Sequence, residues 1–193
     1  MLALNSPITL SGYFQSWRYV EGILPKIQEE IVLKSYSNWF IRLRKIMNDE
    51  KPIVIHVRRG DYMNLADDFG ILGLEYYKKA LVQIEQINLD KKIPIWVFSD
   101  DINKARNLLS NVSQRKIVFI EPPANCSALE SLLLMTYGGA HVIANSTFSW
   151  WSARLSETTQ MVVAPNTWFR YREDPIDLLP PEWKLADSHW DVG

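Results

Sequence analysis

One histidine and two arginines stand together at the end of an apolar run. Residues 53–61, directly after Pro52, are I-V-I-H-V-R-R-G-D. The β-branched residues favour a strand, and the Gly-Asp pair that follows favours a turn. Because side chains alternate along a strand, His56 and Arg58 share one face and Arg59 takes the other. A guanidinium group offers a planar fork of donors that matches phosphate oxygens, so this stretch is typical of a diphosphate clamp.

The same residues also allow a purely structural interpretation. Two adjacent arginines are costly to bury without partners. Arg59 could pair with Asp61 or Glu75 and close the end of the strand without any ligand. His56 could likewise be a strand residue whose ring bonds to backbone. Residue types alone leave both interpretations open.

Polar residues also end a second apolar run, at residues 98–101 with the sequence F-S-D-D. Asp101 is placed as the N-cap of a following helix. A carboxylate here also suits a guanine, because its N1–H and exocyclic amine give two donors to one carboxylate. Either Asp100 or Asp101 could bind the base while the other caps the helix, and we favour Asp101 for the base.

A third polar segment, residues 145–149, is N-S-T-F-S and passes from a strand into a helix. Free backbone N–H groups and the positive end of the helix dipole favour an anion at such a place. Ser146, Thr147 and Ser149 add hydroxyl donors. Ser146 or Thr147 could instead cap the helix with no ligand present.

These segments need a scaffold that brings strand ends together. After Pro52 the pattern alternates between helices and five apolar strands, at residues 53–58, 94–98, 116–120, 141–144 and 161–164. This alternation predicts an α/β fold with a doubly wound parallel sheet. Ligands of such sheets bind beyond the carboxyl ends of the strands. The three polar segments follow the first, second and fourth strands, which favours a ligand site over an internal salt bridge.

Helical patterns fill the remaining intervals. Residues 23–47 predict one long helix or two helices, with a break near residues 35–37. Further helices are expected over residues 74–88, 101–109, 127–137 and 145–156. Ser127 is expected to cap the third of these, with Glu130 completing a capping box. Residues 186–193 are expected to form a loose end.

Composition excludes several classes. The 193 residues are 47% hydrophobic, enough for one or two domains with a sizeable core, and a net charge of −1 does not favour a nucleic-acid partner. Cys126 is the single cysteine, so no intrachain disulfide forms, which fits a reducing compartment. No apolar run approaches the about 20 residues of a membrane span, and residues 1–15 lack the pattern of a signal peptide.

Taken together, the motifs resemble the α-1,2-fucosyltransferases, glycosyltransferase family 11. Residues 56–62 match the H-x-R-R-x-D-Y signature, and residues 98–101 match F-S-D-D. Residues 143–151 resemble I-A-N-S-S-F-S-W-W, residues 164–169 resemble the start of the C-terminal tail, and residues 12–16 match an upstream G-Y-F-Q-S. Two features depart from the family pattern. A glycine-rich stretch such as G-G-L-G-N-Q-M-F-Q-Y is not found, and Phe-Gly stands at residues 69–70 where His-Gly is common.

The resemblance implies a two-domain GT-B-like fold. Residues 1–50 would be a remnant of the N-terminal, acceptor-side domain, as a loop and a long helix. Residues 51–193 would be a Rossmann-like domain that binds a GDP-sugar. The implied reaction transfers L-fucose from GDP-β-L-fucose to the 2-hydroxyl of a galactose in a glycan, with inversion, without a metal, and without a cofactor beyond the donor substrate.

The resemblance also implies roles for the motif residues. Arg58 would hold the β-phosphate, Arg59 would brace the turn through Asp61, and Ser146 with Thr147 would cradle phosphate. The implied donor-binding residues are Arg58, Arg59, Asp100, Asp101, Asn145, Ser146, Thr147, Phe148 and Ser149. The implied catalytic residues are Arg58, His56 and Asp61. An inverting reaction also needs a general base, for which Asp61, Asp67, Asp68 and His56 are the candidates.

Two non-enzymatic interpretations remain beside this one. The chain could be a truncated, inactive nucleotide-binding fragment, or an interaction module whose aromatic residues Trp17, Trp39 and Phe40 are exposed. For the enzyme, the resemblance implies cytoplasmic work on surface-polysaccharide precursors, with peripheral association at the inner face of the membrane as an open alternative.

Overall fold

The structure is a computed structural model that describes residues 9, 11, 12, 14–60 and 69–191. Its helices are α1 (Arg18–Glu21), α2 (Leu24–Glu30), α3 (Asn38–Glu50), α4 (Leu74–Ile84), α5 (Ile102–Leu109), α6 (Ala128–Met135) and α7 (Thr147–Leu155). A 3-10 turn, Glu85–Ile87, continues α4. The strands are β1 (Ile53–Val57), β2 (Ile95–Ser99), β3 (Ile117–Phe119), β4 (Ala140–Val142), β5 (Val162–Pro165) and β6 (Lys184–Ala186).

All six strands are parallel and lie in one sheet in the order β3-β2-β1-β4-β5-β6. Ile55 of β1 is in register with Val97 on one side and Val142 on the other. The predicted doubly wound parallel α/β fold is confirmed. The strand order reverses between β1 and β4, and a crevice for ligands opens at such a switch point.

Helices cover both faces of the sheet, as its uninterrupted apolar strands require. Ile53, Ile55 and Val57 of β1 pack with residues of α4 and α5 on one face. Val54, on the other face, packs with residues of α3 and α6. Every residue of β1 is buried, so the end of this strand is held firmly.

The predicted break in the first helical region is confirmed, because α2 ends at Glu30 and α3 begins at Asn38. Ser37 caps α3 by accepting a hydrogen bond from the N–H of Phe40 at 3.1 Å. Ser127 caps α6, as expected, by accepting from the N–H of Leu129.

The expected capping box at Glu130 is wrong. Its carboxylate accepts a hydrogen bond from the N–H of Ser37 at 2.6 Å instead. Since Ser37 stands directly before α3, this bond ties the first turns of α3 and α6 together. The carboxylate of Glu130 therefore bonds to the start of α3, whereas the local sequence predicted a bond within its own helix α6.

The expectation of a loose C-terminal end is wrong for residues 186–191. The sixth strand, β6, was not predicted, because its three residues show no apolar run. Beyond it, Trp190 pairs with Leu72 in an antiparallel bridge. The chain therefore returns to the carboxyl edge of the sheet after β6.

Aromatic residues near the C-terminus build a core of their own. Trp150, Trp168 and Trp183 are buried in one cluster, and Trp17 packs against it. Phe40 is only 2% exposed and Trp17 and Trp39 are half-buried, so these residues do not form the exposed aromatic surface that the interaction-module alternative requires. Within the described ranges, no helix is long and apolar enough to cross a membrane.

Candidate active site

A cleft of about 430 Å³ opens at the carboxyl edge of the sheet. It begins at the ends of β1 and β2, passes the segment after β3, and reaches the first turns of α6 and α7. Its lining residues are His56, Arg58, Phe98, Ser99, Asp100, Ile120, Pro122, Pro123, Ala124, Cys126, Ser127, Ala128, Ser131 and Phe148. The cleft therefore lies where the strand pattern predicted a ligand site.

Arg58 and Asp100 meet at the mouth of this cleft. Arg58 Nη1 lies 3.1 Å from Asp100 Oδ2, and both side chains are largely covered. Arg58 leaves β1 on the same face as His56, as side-chain alternation predicted. Its positive charge is thus placed in the cleft beside the carboxylate of Asp100, where a guanidinium group can also contact an anionic ligand.

Asp100 also fixes the turn that carries Arg58. Its two carboxylate oxygens accept hydrogen bonds from the N–H groups of Arg59 at 2.8 Å and Gly60 at 2.9 Å. A Cβ atom at Gly60 would lie 2.6 Å from Asp100 Oδ2, so glycine is required for this close approach. The side chain of Asp100, directly after β2, therefore holds three consecutive residues after β1.

Arg59 points away from the cleft. Its Nη1 donates to Asp191 Oδ2 at 2.7 Å and its Nη2 donates to the carbonyl oxygen of Leu72 at 3.0 Å. The predicted partner Glu75 pairs with Lys78 instead. Asp61, the other predicted partner, lies outside the described residues. Arg59 thus braces the turn as expected, through a carboxylate that is 132 residues away in sequence.

His56 lies at the floor of the cleft. Its side chain is 3% exposed, its ring centroid is 5.5 Å from that of Phe148, and its Nδ1 has no hydrogen-bond partner among the described residues. Burial lowers the pKa of His56 to about 4; Asp100 raises this pKa and Arg58 lowers it further. The ring is therefore neutral at neutral pH.

Asp101 caps α5, as predicted. Its carboxylate accepts from the N–H of Lys104 at 3.0 Å and lies 3.2 Å from the Lys104 ammonium. These bonds, the backbone hydrogen bond first, hold the pKa of Asp101 below its ordinary value. Unlike Asp100, Asp101 does not line the cleft.

Asn145 joins the loops that border the site. Its side-chain amide donates to the carbonyl oxygens of Phe69 at 2.8 Å, Gly70 at 3.3 Å and Trp168 at 3.1 Å. Its buried amide therefore has a structural use, in addition to the donor-binding role expected for it.

The first turn of α7 is divided between two surfaces. Phe148 lines the cleft, whereas Thr147 lines a separate groove with Phe14 and Trp151. The hydroxyl of Ser149 is buried and donates to the carbonyl oxygens of Ala144 and Ser146.

Ser146, also buried, makes no side-chain capping bond. Since the first N–H groups of a helix lack intrahelical partners, this end of α7 offers donors to an anion.

Sequence reasoning missed one wall of the cleft. This wall is residues 122–131, and it includes Pro122, Cys126 and Ser131. The available signal was position, because this segment follows the third predicted strand at the same edge of the sheet. Its residue types carry no evident chemistry.

Three predicted site residues and the question of a metal site remain. Asp61, Asp67 and Asp68, candidates for the general base, are outside the described residues. Among residues 9–60 and 69–191, apart from the undescribed residues 10 and 13, no group of three or more histidine, cysteine, aspartate or glutamate residues is arranged to hold a metal ion.

Comparison with known sequences gives consistent matches. The family model described as Glycosyl transferase family 11 matches residues 3–184. An O-antigen biosynthesis glycosyltransferase, WbnK of Escherichia coli, is 32% identical over 177 residues, which are 87% of this chain and 57% of that protein. An alpha-1,2-colitosyltransferase of Escherichia coli is 28% identical over 189 residues, 94% of this chain and 63% of that protein. The chain thus spans about three fifths of the length of these relatives.

Among solved structures, POFUT1 in complex with GDP is 13% identical, with a TM-score of 0.44 over 66% of this chain and 47% of that chain. POFUT1 in complex with GDP-fucose gives the same identity and TM-score, over 67% of this chain and 46% of that chain.

Proposed function

The chain belongs to glycosyl transferase family 11, and from this premise we propose that it binds a GDP-sugar and transfers the sugar to a glycan. In full, the proposed reaction moves L-fucose from GDP-β-L-fucose to the 2-hydroxyl of a galactose, with inversion and without a metal. The observation that carries the proposal is the placement of Arg58 in a cleft at the carboxyl edge of the sheet, next to the switch point.

Arg58 is the proposed ligand of the β-phosphate. As the sugar–phosphate bond breaks, the leaving diphosphate takes the electron pair and gains negative charge. A guanidinium group fixed in place stabilises that charge without having to reorganise. Its present partner, Asp100, is itself bonded to two backbone N–H groups, so the arginine is held at the cleft before any ligand arrives.

The amino end of α7 is the proposed second phosphate contact. Ser146, with a buried hydroxyl that makes no capping bond, precedes the helix, and Phe148 reaches the cleft. The N–H groups of this turn favour the same anion as Arg58 does. Thr147 and Ser149 are proposed to contact the phosphate through their backbone N–H groups.

The guanine is proposed to bind a carboxylate after β2. Asp100 lines the cleft, but both of its oxygens accept from backbone N–H groups. Asp101 does not line the cleft, and its carboxylate accepts from one backbone N–H and contacts one ammonium group, so guanine binding at Asp101 requires that the ammonium be displaced. This ammonium group belongs to Lys104, whose side chain is about half exposed and is able to move aside. Base selectivity is therefore assigned to Asp101.

An inverting transfer needs a base for the acceptor proton. The acceptor oxygen attacks the anomeric carbon as the bond to phosphate breaks, and its proton passes to the base. His56, with a pKa of about 4, is a weak base for this step. A carboxylate in residues 61–68 is the proposed base, with Asp61, Asp67 and Asp68 as the alternatives.

Colitose is a second candidate for the transferred sugar. The observation that favours it is the 94% coverage of this chain by the alpha-1,2-colitosyltransferase. Colitose is L-fucose without its 3-hydroxyl group. A donor site that hydrogen-bonds that hydroxyl would discriminate strongly against colitose, whereas an apolar site would not. The acceptor is proposed to be a precursor of a surface polysaccharide, used in the cytoplasm.

Calorimetric titration with GDP and ADP tests the donor site. We expect GDP to bind in preference to ADP. Arg58→Ala should weaken GDP binding about 10- to 100-fold, because one charge-assisted contact to phosphate is lost. The matched control is Arg42→Ala, which removes an exposed arginine of α3 and should leave affinity unchanged.

Equal binding of GDP and ADP, or an Arg58→Ala variant that binds like the wild type, would refute the proposed site. If GDP binds but no galactoside accepts fucose or colitose from the respective GDP-sugar, the chain acts as a nucleotide-binding module and the transferase proposal fails.

A further inference from the structure

The C-terminal segment after β6 reaches the turn that carries Arg58. We propose that residues 188–191, here named the C-terminal strap, position this turn, and that Asp191 is the positioning residue. Asp191 acts through Arg59 and does not line the cleft. The inference rests on the proposed function only for the identity of the anion that Arg58 binds.

The strap is attached to the segment before α4 by backbone bonds. The N–H of Gly73 donates to the carbonyl oxygen of His189 at 2.8 Å, and the N–H of Asp191 donates to the carbonyl oxygen of Ile71 at 2.6 Å. Between these bonds, Trp190 pairs with Leu72. The path of residues 189–191 is therefore fixed by main-chain hydrogen bonds.

Packing adds to this attachment. The Trp190 ring lies so close to Gly70 that a Cβ atom there would come within 2.5 Å of it. Gly70 also has a φ of +71°, a conformation that favours glycine. At the other end of the strap, the hydroxyl of Ser188 donates to the carbonyl oxygen of Thr167 at 2.7 Å.

Arg59 connects the strap to the turn after β1. It is 7% exposed, and its two terminal nitrogens contact Asp191 and the carbonyl oxygen of Leu72. Asp191 belongs to the strap, and Leu72 is bridged to the strap through Trp190. Because a buried guanidinium needs a counter-charge, Asp191 determines whether Arg59 is stable in this position.

The turn transmits this constraint to the cleft. The N–H of Arg59 and the N–H of Gly60 are the groups that Asp100 holds, and Asp100 also pairs with Arg58. Arg59 is the next residue after Arg58, so a shift of its side chain moves the backbone on which Arg58 stands. Loss of the Asp191 charge would therefore misplace Arg58 without removing any group from the cleft.

The test compares Asp191→Asn with Glu182→Gln by calorimetry, using GDP and guanosine as ligands. Glu182 precedes β6 and makes an ion pair with Arg154 at the surface, outside the strap, so it is the matched control. We expect Asp191→Asn to weaken GDP binding about 10-fold and to leave guanosine binding within about twofold, since only phosphate contacts are affected. The control should bind both ligands like the wild type.

Amide hydrogen exchange of the ligand-free protein supplies a second readout. In Asp191→Asn, the amides of Arg59 and Gly60 should exchange about 10-fold faster, while those of β4 keep their protection. The proposal is overturned if these amides exchange as in the wild type, or if GDP and guanosine binding fall equally. Failure of the wild type to bind GDP would refute the proposed function, and the exchange rates would still decide whether the strap holds the turn.

Discussion

Single residues in this protein do several tasks at once. Asp100 pairs with Arg58 and accepts from two backbone N–H groups, so one carboxylate fixes the turn and orients the arginine. His56 differs from Asp100, because it is buried and one of its ring nitrogens has no hydrogen-bond partner in the described part of the chain. A buried polar atom without a hydrogen-bond partner costs stability.

The lowered pKa of His56 predicts that the stability of the protein depends on pH. Its pKa is lowered from 6.5 to about 4 in the folded protein, mainly by burial, so the unfolded chain binds a proton more readily between these values. Stability is then full above pH 6.5 and falls as the pH drops towards 4. We expect the loss assigned to His56 at pH 5 to be about 2 kcal/mol.

Urea unfolding at pH 7.5 and pH 5 measures this loss in the wild type and in His56→Phe. The variant should lose less unfolding free energy between pH 7.5 and pH 5 than the wild type. Part of the loss should remain, because His141 is also buried and has a pKa of about 4. Equal slopes in the two proteins would contradict the prediction.

At the scale of elements, the sheet places side chains that are far apart in sequence at one edge. Its parallel strands all end on the same side, so residues after β1, β2 and β3 meet at one cleft together with Phe148 of α7. Helix caps occupy the same region. Asp101 caps α5, and Ser127, which lines the cleft, caps α6, so a substitution here has to be tested for its effect on folding as well as on the proposed binding.

Asp101→Asn separates these two effects. Asparagine is as good an N-cap as aspartate, so α5 should keep its stability. A neutral amide cannot accept two hydrogen bonds from guanine as a carboxylate does, so the preference for GDP over ADP should fall about 10-fold. Calorimetry with both nucleotides measures the preference, and thermal unfolding checks the cap. An unchanged preference would mean that Asp101 serves only as a cap.

A second tie between elements lies outside the cleft. Arg115, buried before β3, donates to Glu85 after α4 at 2.7 Å and to the carbonyl oxygens of Asp90 and Ile93. The hydrogen bond from Arg115 is the main cause that lowers the pKa of Glu85 to about 2, from an ordinary value near 4.5.

Glu85 therefore predicts acid sensitivity in a lower pH range than His56. Because its folded pKa is depressed, its contribution to stability is complete above pH 4.5 and is lost as the pH falls through 2. Glu85→Gln should be less stable than the wild type at pH 5 and should show a flatter decline from pH 4.5 to 2. Unfolding by urea at several pH values measures both, and a variant that matches the wild type at pH 5 would refute the assignment.

At the scale of the whole molecule, the C-terminal region completes the fold. β6 extends the sheet next to β5, and Trp183 enters the core cluster that contains Trp150. The chain then crosses back to Arg59 at the end of β1. The β6 edge of the sheet is thereby linked, through one tail segment, to the turn after the central strand β1.

A substitution at Trp183 tests whether the C-terminal region completes the core of the fold. Trp183→Ala removes a buried indole whose ring centroid lies 5.8 Å from that of Trp150, and it should cost about 3–5 kcal/mol of unfolding free energy. Leu185→Ser, two residues on and half exposed, is the matched control and should cost less than about 0.5 kcal/mol. Urea unfolding measures both, and similar losses in the two variants would argue against a core role for Trp183.

Local sequence patterns alone predicted a parallel sheet, five of its six strands, and the edge where the candidate site lies. Local patterns are sufficient for this, because β-branched runs such as residues 53–57 and caps such as Asp101 reflect backbone preferences that act over a few residues. The H-x-R-R segment could be assigned to a strand end for the same reason. That His56 and Arg58 share one face and Arg59 takes the other follows from side-chain alternation, whereas the structure shows which face meets the cleft.

Which side chains contact one another could be read only from the folded chain. Arg59 pairs with Asp191 and not with Glu75, and Glu130 bonds to Ser37 and not within its own helix. The strand β6 and the strap also escaped prediction, because three edge residues and a polar tail carry no periodic apolar signal. Contacts across more than 90 residues depend on the packed fold as a whole, and no local preference in the chain encodes them.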